Sequence, residues 1–161
     1  MKRGGNQIAK AVGNGSDSCS GIACALIDAY RKTHYVVHGE SDGTGTLTLV
    51  IGIRSDPLAA LHKRFGVDCS AFITACNPLS RALSDGENAT RQEALLSSLK
   101  SRSLRWIGGI GQHPLNDWPG EPSVLVLGLS LESAKVLAQD YEQNAFVWAG
   151  ADATPQLILL R

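Results

Sequence analysis

From residue 70 onward, runs of strand length and runs of helix length follow one another in a single order: strand (70–76), helix (85–102), strand (104–107), strand (123–129), helix (131–141), strand (145–149). That order, βαββαβ, is the signature of the ferredoxin-like split βαβ arrangement, in which the first and third strands occupy the middle of an antiparallel sheet. The residue types agree with that placement. Residues 71–75 and 124–129 are apolar at successive positions, as in strands covered on both faces, whereas Leu104-Arg105-Trp106 alternates as an edge strand does. A further strand, 157–160, follows the turn at 150–155 and is expected to pair with 146–148 as a C-terminal hairpin.

The chain before residue 70 adds a helix and a hairpin. Residues 1–20 are rich in Gly, Asn and Ser without sustained periodicity and are expected to form a disordered or weakly ordered leader outside the core. Ile22, Ala23, Leu26, Ile27 and Tyr30 recur at helical spacing, so a short amphipathic helix is predicted to end near Lys32. Tyr35-Val36-Val37 and 47–51 read as strands joined through the Gly-rich and Asp-containing turn 39–45. Asp56-Pro57 opens another helix, with Asp56 as N-cap, Leu58, Leu61 and Phe65 on its inner face, and Gly66 ending it. The expectation is one α+β domain over 21–161: a two-layer sandwich with a mainly antiparallel sheet, a ferredoxin-like core (70–149), an N-terminal helix and β-hairpin, and a C-terminal strand.

Composition narrows the function classes. Fifteen basic and fifteen acidic residues cancel, so no net field draws the chain to nucleic acid or to an anionic membrane. Lys2-Arg3 is followed by Gly, Asn and Gln rather than by an apolar run, and no apolar stretch approaches membrane-spanning length, so the expected location is the cytoplasm. Of the cysteines, Cys19, Cys24, Cys69 and Cys76 form no CxxC pair, and Cys69 and Cys76 differ in strand parity and point to opposite faces. Reduced thiols are expected, and neither a metal nor a cofactor is predicted. His34 and His38, at i and i+4 on one strand face, stand roughly 13 Å apart, too far to chelate one ion.

The long helix carries the first functional hint. Ser84-Asp85-Gly86-Glu87 has capping-box spacing, so the helix starts near Asp85. At 100° per residue Leu95, Leu96 and Leu99 share a face with Asn88, Arg91 and Gln92, so one face turns from apolar to polar along its length. The helix N-terminus offers amides and a partial positive charge where an anion could sit with Arg91 as second partner. The alternative is a first turn whose polar groups meet water.

In a split βαβ sheet four segments meet at one edge, and here each is polar: Asn77-Pro78-Leu79-Ser80; Asn88, Arg91 and Gln92; 108–121 with His113, Asp117, Trp118 and Glu121; and Gln143-Asn144. Taken singly they are weak. Asn77-Pro78 also reads as an Asx turn ending a strand. Gly108-Gly109-Ile110-Gly111 invites a phosphate-loop reading, but it follows a strand without opening a helix and lacks GxGxxG, which argues against it. Trp118 suits stacking on a flat ligand or closing the core edge, and Gln143-Asn144 suits reading a ligand or latching the Pro78 loop. His113 and Glu121 are the acid-base candidates there.

Thr74-Ala75-Cys76-Asn77-Pro78-Leu79-Ser80, then Asn88 with Arg91 and Gln92, then Trp118-Pro119-Gly120-Glu121-Pro122-Ser123, then Gln143-Asn144-Ala145, together resemble the bacterial family called domain of unknown function 3293. The similarity runs from about Leu26 to Leu160, with Cys76 in place of the aromatic residue expected before the Asn-Pro pair. The resemblance implies no activity, cofactor or partner, and it supports the location of the site.

Two function readings follow. In the first, a small anionic, nucleotide-like ligand is bound or acted upon, with Arg91 and the helix amides on the anion. Asn77, Ser80, Asn88, Gln92, Gln143 and Asn144 then orient it, Trp118 stacks and Glu121 serves as acid-base group. In the second, the chain is a non-catalytic interaction or regulatory module whose polar edge is a structural latch. Sequence leaves the oligomeric state open.

Overall fold

The computed structural model describes residues 21–39, 45–115 and 119–161. The expected leader, Trp118, Asp117 and most of the 39–45 turn lie outside them. Helix α1 (Cys24–Lys32) runs through Thr33 into strand β1 (His34–Val37), which pairs antiparallel with β2 (Leu47–Leu49) and buries Tyr35, Val37, Leu47 and Leu49 on one face. Helix α2 (Asp56–Phe65) follows. Its N-cap is Ser55 rather than the expected Asp56, because Ser55 is the extended residue and its hydroxyl accepts the amide of Leu58 at 3.2 Å. Gly66, left-handed at φ 66°, ends it as expected. Strand β3 (Ser70–Ile73) leads through a 3-10 turn (Pro78–Ser80) to helix α3 (Asp85–Ser101), where both halves of the Ser84/Glu87 capping box are made. Strands β4 (Arg105–Gln112) and β5 (Glu121–Leu127), helix α4 (Leu131–Asp140), and strands β6 (Ala145–Ala149) and β7 (Gln156–Leu159) complete the order.

The seven strands of the described residues form one antiparallel sheet in the order β2-β1-β4-β5-β3-β6-β7. The first and third strands of the βαββαβ unit, β3 and β5, are central as their apolar runs require, and β7 pairs with β6. Strand β4 departs from expectation. It is no edge, since β1 pairs with it from Gly109 to Gln112, and it extends five residues beyond Ile107. Glycines at 108, 109 and 111 carry no hydropathy signal, which is why the pattern stops where the strand does not. At Gly109 the missing side chain is a requirement: a Cβ there would stand 2.5 Å from the Val36 carbonyl oxygen and 2.9 Å from the Phe72 ring.

Successive residues of the central strands feed two separate cores. Phe72, Leu125, Leu127 and Val147 meet Leu58 and Leu61 of α2 and the buried residues of the β1–β2 hairpin. On the opposite face Ala71, Ile73, Val124, Val126 and Phe146 meet Leu95 and Leu99 of α3 and Ala134, Leu137 and Ala138 of α4. The expected two-layer sandwich is therefore corrected to three layers, helix on both faces of the sheet. The cause is in β3 and β5 themselves: a strand apolar at each position leaves neither face to water, and each fully buried Leu or Val contributes about 1.5–3 kcal/mol. Among the described residues no helix is long and apolar enough to cross a membrane.

Candidate ligand-binding site

After Ile73 the chain leaves the ladder, so the backbone groups that follow must find partners elsewhere. Residues on one face of α3 supply them: Gln92 Oε1 accepts the Ala75 amide at 3.0 Å, Arg91 Nε donates to the Ala75 carbonyl at 2.7 Å, and Asn88 Oδ1 accepts the Asn77 amide at 2.9 Å. A second Arg91 nitrogen donates to the Tyr141 carbonyl at 2.7 Å, and its guanidinium stands 3.6 Å from Glu142. From the other side the Gln143 amide donates to the Cys76 carbonyl at 3.1 Å, and the Leu79 amide donates to the Glu142 carbonyl at 2.7 Å. The i, i+3, i+4 spacing of Asn88, Arg91 and Gln92 is thus the spacing that matches one helix face to an irregular segment.

Held this way, the segment adopts unusual backbone. Asn77, Leu79 and Ser80 all lie in the left-handed region, at φ 47°, 54° and 58°. For Leu79 that conformation is costly, by about 1–2 kcal/mol for a non-glycine residue, and it persists because the surrounding hydrogen bonds determine it. Its effect is to present the Asn77 and Ser80 side chains to the sheet face that α1 overlies. Asn77 Oδ1 accepts both the Leu83 amide and the Asn88 side-chain amide, at 3.0 and 2.9 Å, which turns its own NH2 group toward Glu121 Oε1 at 2.7 Å. Ser80 Oγ lies 2.8 Å from the Tyr30 hydroxyl and accepts from Asn144 at 3.0 Å.

Between these groups and α1 is a cavity of about 390 Å³. Its floor is apolar, formed by Phe72, Val147 and Leu157 with Gly111 leaving room on β4, and Leu26 and Ala29 of α1 close the far side. Polar groups converge on it from five segments: Tyr30, Tyr35, Thr74 with Asn77 and Ser80, His113 with Glu121 and Ser123, and Gln143. The volume and the mixture fit a small-molecule site. Among the described residues the lining contains no Lys or Arg.

The electrostatics follow from that. Burial raises the Glu121 carboxyl above its ordinary value, and the Asn77 hydrogen bond only partly opposes it. Burial likewise pushes the Tyr35 phenol up, its hydroxyl donating to the Tyr30 carbonyl at 2.7 Å. The Cys76 thiol is raised by burial and is a weak nucleophile. A His62–Ser70 pair at 2.8 Å lies outside the cavity lining, with both residues buried.

Residues 73–146 match the family described as protein of unknown function (DUF3293). Over that segment, a little under half of its length, the chain is similar to that family. No curated protein and no solved structure matched it. The DUF3293 segment contains the irregular loop, α3, Glu121 and Gln143, whereas α1 and β1, which bring Tyr30 and Tyr35, precede it. Of the residues singled out in the sequence, Asn77, Ser80, Glu121 and Gln143 line the cavity, and so does His113. Asn144 reaches it through Ser80, while Asn88, Arg91 and Gln92 face the backbone behind it. Trp118 lies outside the described residues. Tyr30 and Tyr35 carried no motif, and Thr74 and Ser123 stood inside the quoted motifs without being singled out. Ser123 and Glu121 did share strand parity with Leu125, which was a usable signal.

Proposed function

We propose that this chain is a small-molecule-binding protein whose ligand occupies the cavity beside Glu121. The observation that carries the reading is the combination of an apolar floor with Glu121 held in place by Asn77 in a volume of about 390 Å³. The strained loop supports it, since left-handed backbone at Leu79 and Ser80 sits at this wall. Sequence pointed to an anionic, nucleotide-like ligand. The charge of the wall favours a neutral or cationic one instead: Arg91 is spent on two carbonyls, and among the described residues the lining holds the carboxylate of Glu121 and no Lys or Arg. The latch reading also has a specific support in the α3 network, and the two are compatible: the latch shapes the wall and the cavity receives the ligand. We take the unit from β3 to β6 as a ferredoxin-like split βαβ, on the support of its strand order β4-β5-β3-β6.

A fragment screen by protein-observed NMR tests the reading. Bound fragments are expected to shift the amides of Thr74, Glu121 and Val147, and the cavity-filling substitution Ala29→Trp is expected to suppress those shifts. Fragments that shift only amides remote from the cavity would sink it.

A further inference from the structure

We infer that the ligand carries a protonated amine, which Glu121 receives, joined to a flat apolar body that lies on Phe72 and Val147. The inference rests on the cavity being a ligand site and adds the chemical class. Three observations lead to it. Glu121 lines a cavity with an apolar floor, and its side-chain partner, Asn77, brings hydrogen-bond donors but no charge. Asn77 cannot turn to present its oxygen instead, because that oxygen is already taken by Leu83 and Asn88. Hydroxyls of the lining are also committed: Tyr35 donates to the Tyr30 carbonyl, Thr74 to the Pro122 carbonyl and Ser123 to the Glu121 carbonyl, while Tyr30 and Ser80 pair with each other. A carboxylate taken out of water requires a counter-charge; among the described lining residues there is no Lys or Arg, and His113, the lining imidazole, already uses its Nδ1 to accept the Leu115 amide at 3.1 Å. An ammonium on the ligand meets that requirement, while an anionic ligand would add a second negative charge beside the first. The carboxyl raised by burial is consistent, since a cation beside it favours the ionised form.

Three probes with one indole body distinguish the outcomes: tryptamine, which is cationic; tryptophol, its neutral counterpart; and indole-3-propionate, which is anionic. Each is titrated into the full chain and into Glu121→Gln, with the Val147 and Thr74 amides as NMR reporters. Tryptamine is expected to bind the wild type at least about tenfold more tightly than tryptophol, as a charge-assisted hydrogen bond implies, and indole-3-propionate most weakly. In Glu121→Gln the preference for tryptamine is expected to vanish while tryptophol binding persists. Equal binding of tryptamine and tryptophol in the cavity would overturn the amine inference and leave the cavity reading standing. If none of the three shifts the cavity amides at saturating concentration, both fall. Should Glu121→Gln not fold, the order of the three probes on the wild type decides alone.

Discussion

The side-chain amide of Asn77 donates to the carboxylate of Glu121 across 2.7 Å, joining the strained loop after β3 to the first residue of β5. This one bond connects two functions of the polar edge. Behind Asn77 lies the network that satisfies an irregular backbone, and in front of it lies the cavity.

Arg91 belongs to the first of these, so its loss is expected to be a stability defect. Arg91→Ala should destabilise by about 2–4 kcal/mol, because two carbonyls lose a charged donor. Leu99→Ala, which opens a cavity in the α3–α4 core, should lose about 2–5 kcal/mol and serves as the benchmark in urea melts. Arg91→Lys should recover only a fraction, since an ammonium lacks the fork that reaches both acceptors. An Arg91→Ala loss below half a kcal/mol would show that the carbonyls find water instead.

Glu121 is expected to behave oppositely. Its carboxyl is raised in the folded chain, so the folded state holds the proton more tightly than the unfolded one. That contribution is fully present below the unfolded value of 4.5 and is lost as pH rises through the higher folded value. Glu121→Gln keeps an oxygen for Asn77 and removes the buried charge. Its melting temperature should exceed the wild type's near neutrality, by a few degrees, with the gap closing toward about pH 4. A gap that widens in acid would mean that Glu121 is held ionised by a cation.

Gly109→Ala should destabilise by about 1–3 kcal/mol or more, because the added methyl meets the Val36 carbonyl and the Phe72 ring. Gly108→Ala is the control: its Cβ would find only His38 Cδ2, at 3.9 Å, and the effect should be small. Equal effects in denaturant melts would mean that strand propensity, and not the close approach, governs both.

Tyr30→Phe removes the hydroxyl that ties α1 to Ser80. Loss of about 0.5–1.5 kcal/mol is expected, concentrated in α1. Hydrogen exchange should quicken across Cys24–Lys32 while β3 and β5 remain protected. Uniform quickening would show that α1 and the sheet open as one unit.

Sequence by itself determined the order of elements, the central position of β3 and β5, the capping box at Ser84 and the clustering of Asn77, Ser80, Glu121 and Gln143. Each of these is local chemistry or short-range periodicity: an apolar run reads as a covered strand, and a Ser three residues before a Glu reads as a helix start. Only the tertiary structure decided which way the polar side chains spend their hydrogen bonds. Arg91 and Asn77 look alike in sequence as polar residues near an edge, yet one is consumed by the backbone carbonyls of Ala75 and Tyr141 and the other is turned toward a cavity. Neither outcome follows from spacing, because it depends on where β3 stops pairing and which carbonyls that leaves unmet. The third layer and the Tyr30–Tyr35 wall were hidden for the same reason. Helices α1 and α2 meet the strands from β3 onward through side-chain packing and a few long-range hydrogen bonds, and a side chain's face on a strand is visible in the sequence while the element that will cover it is not.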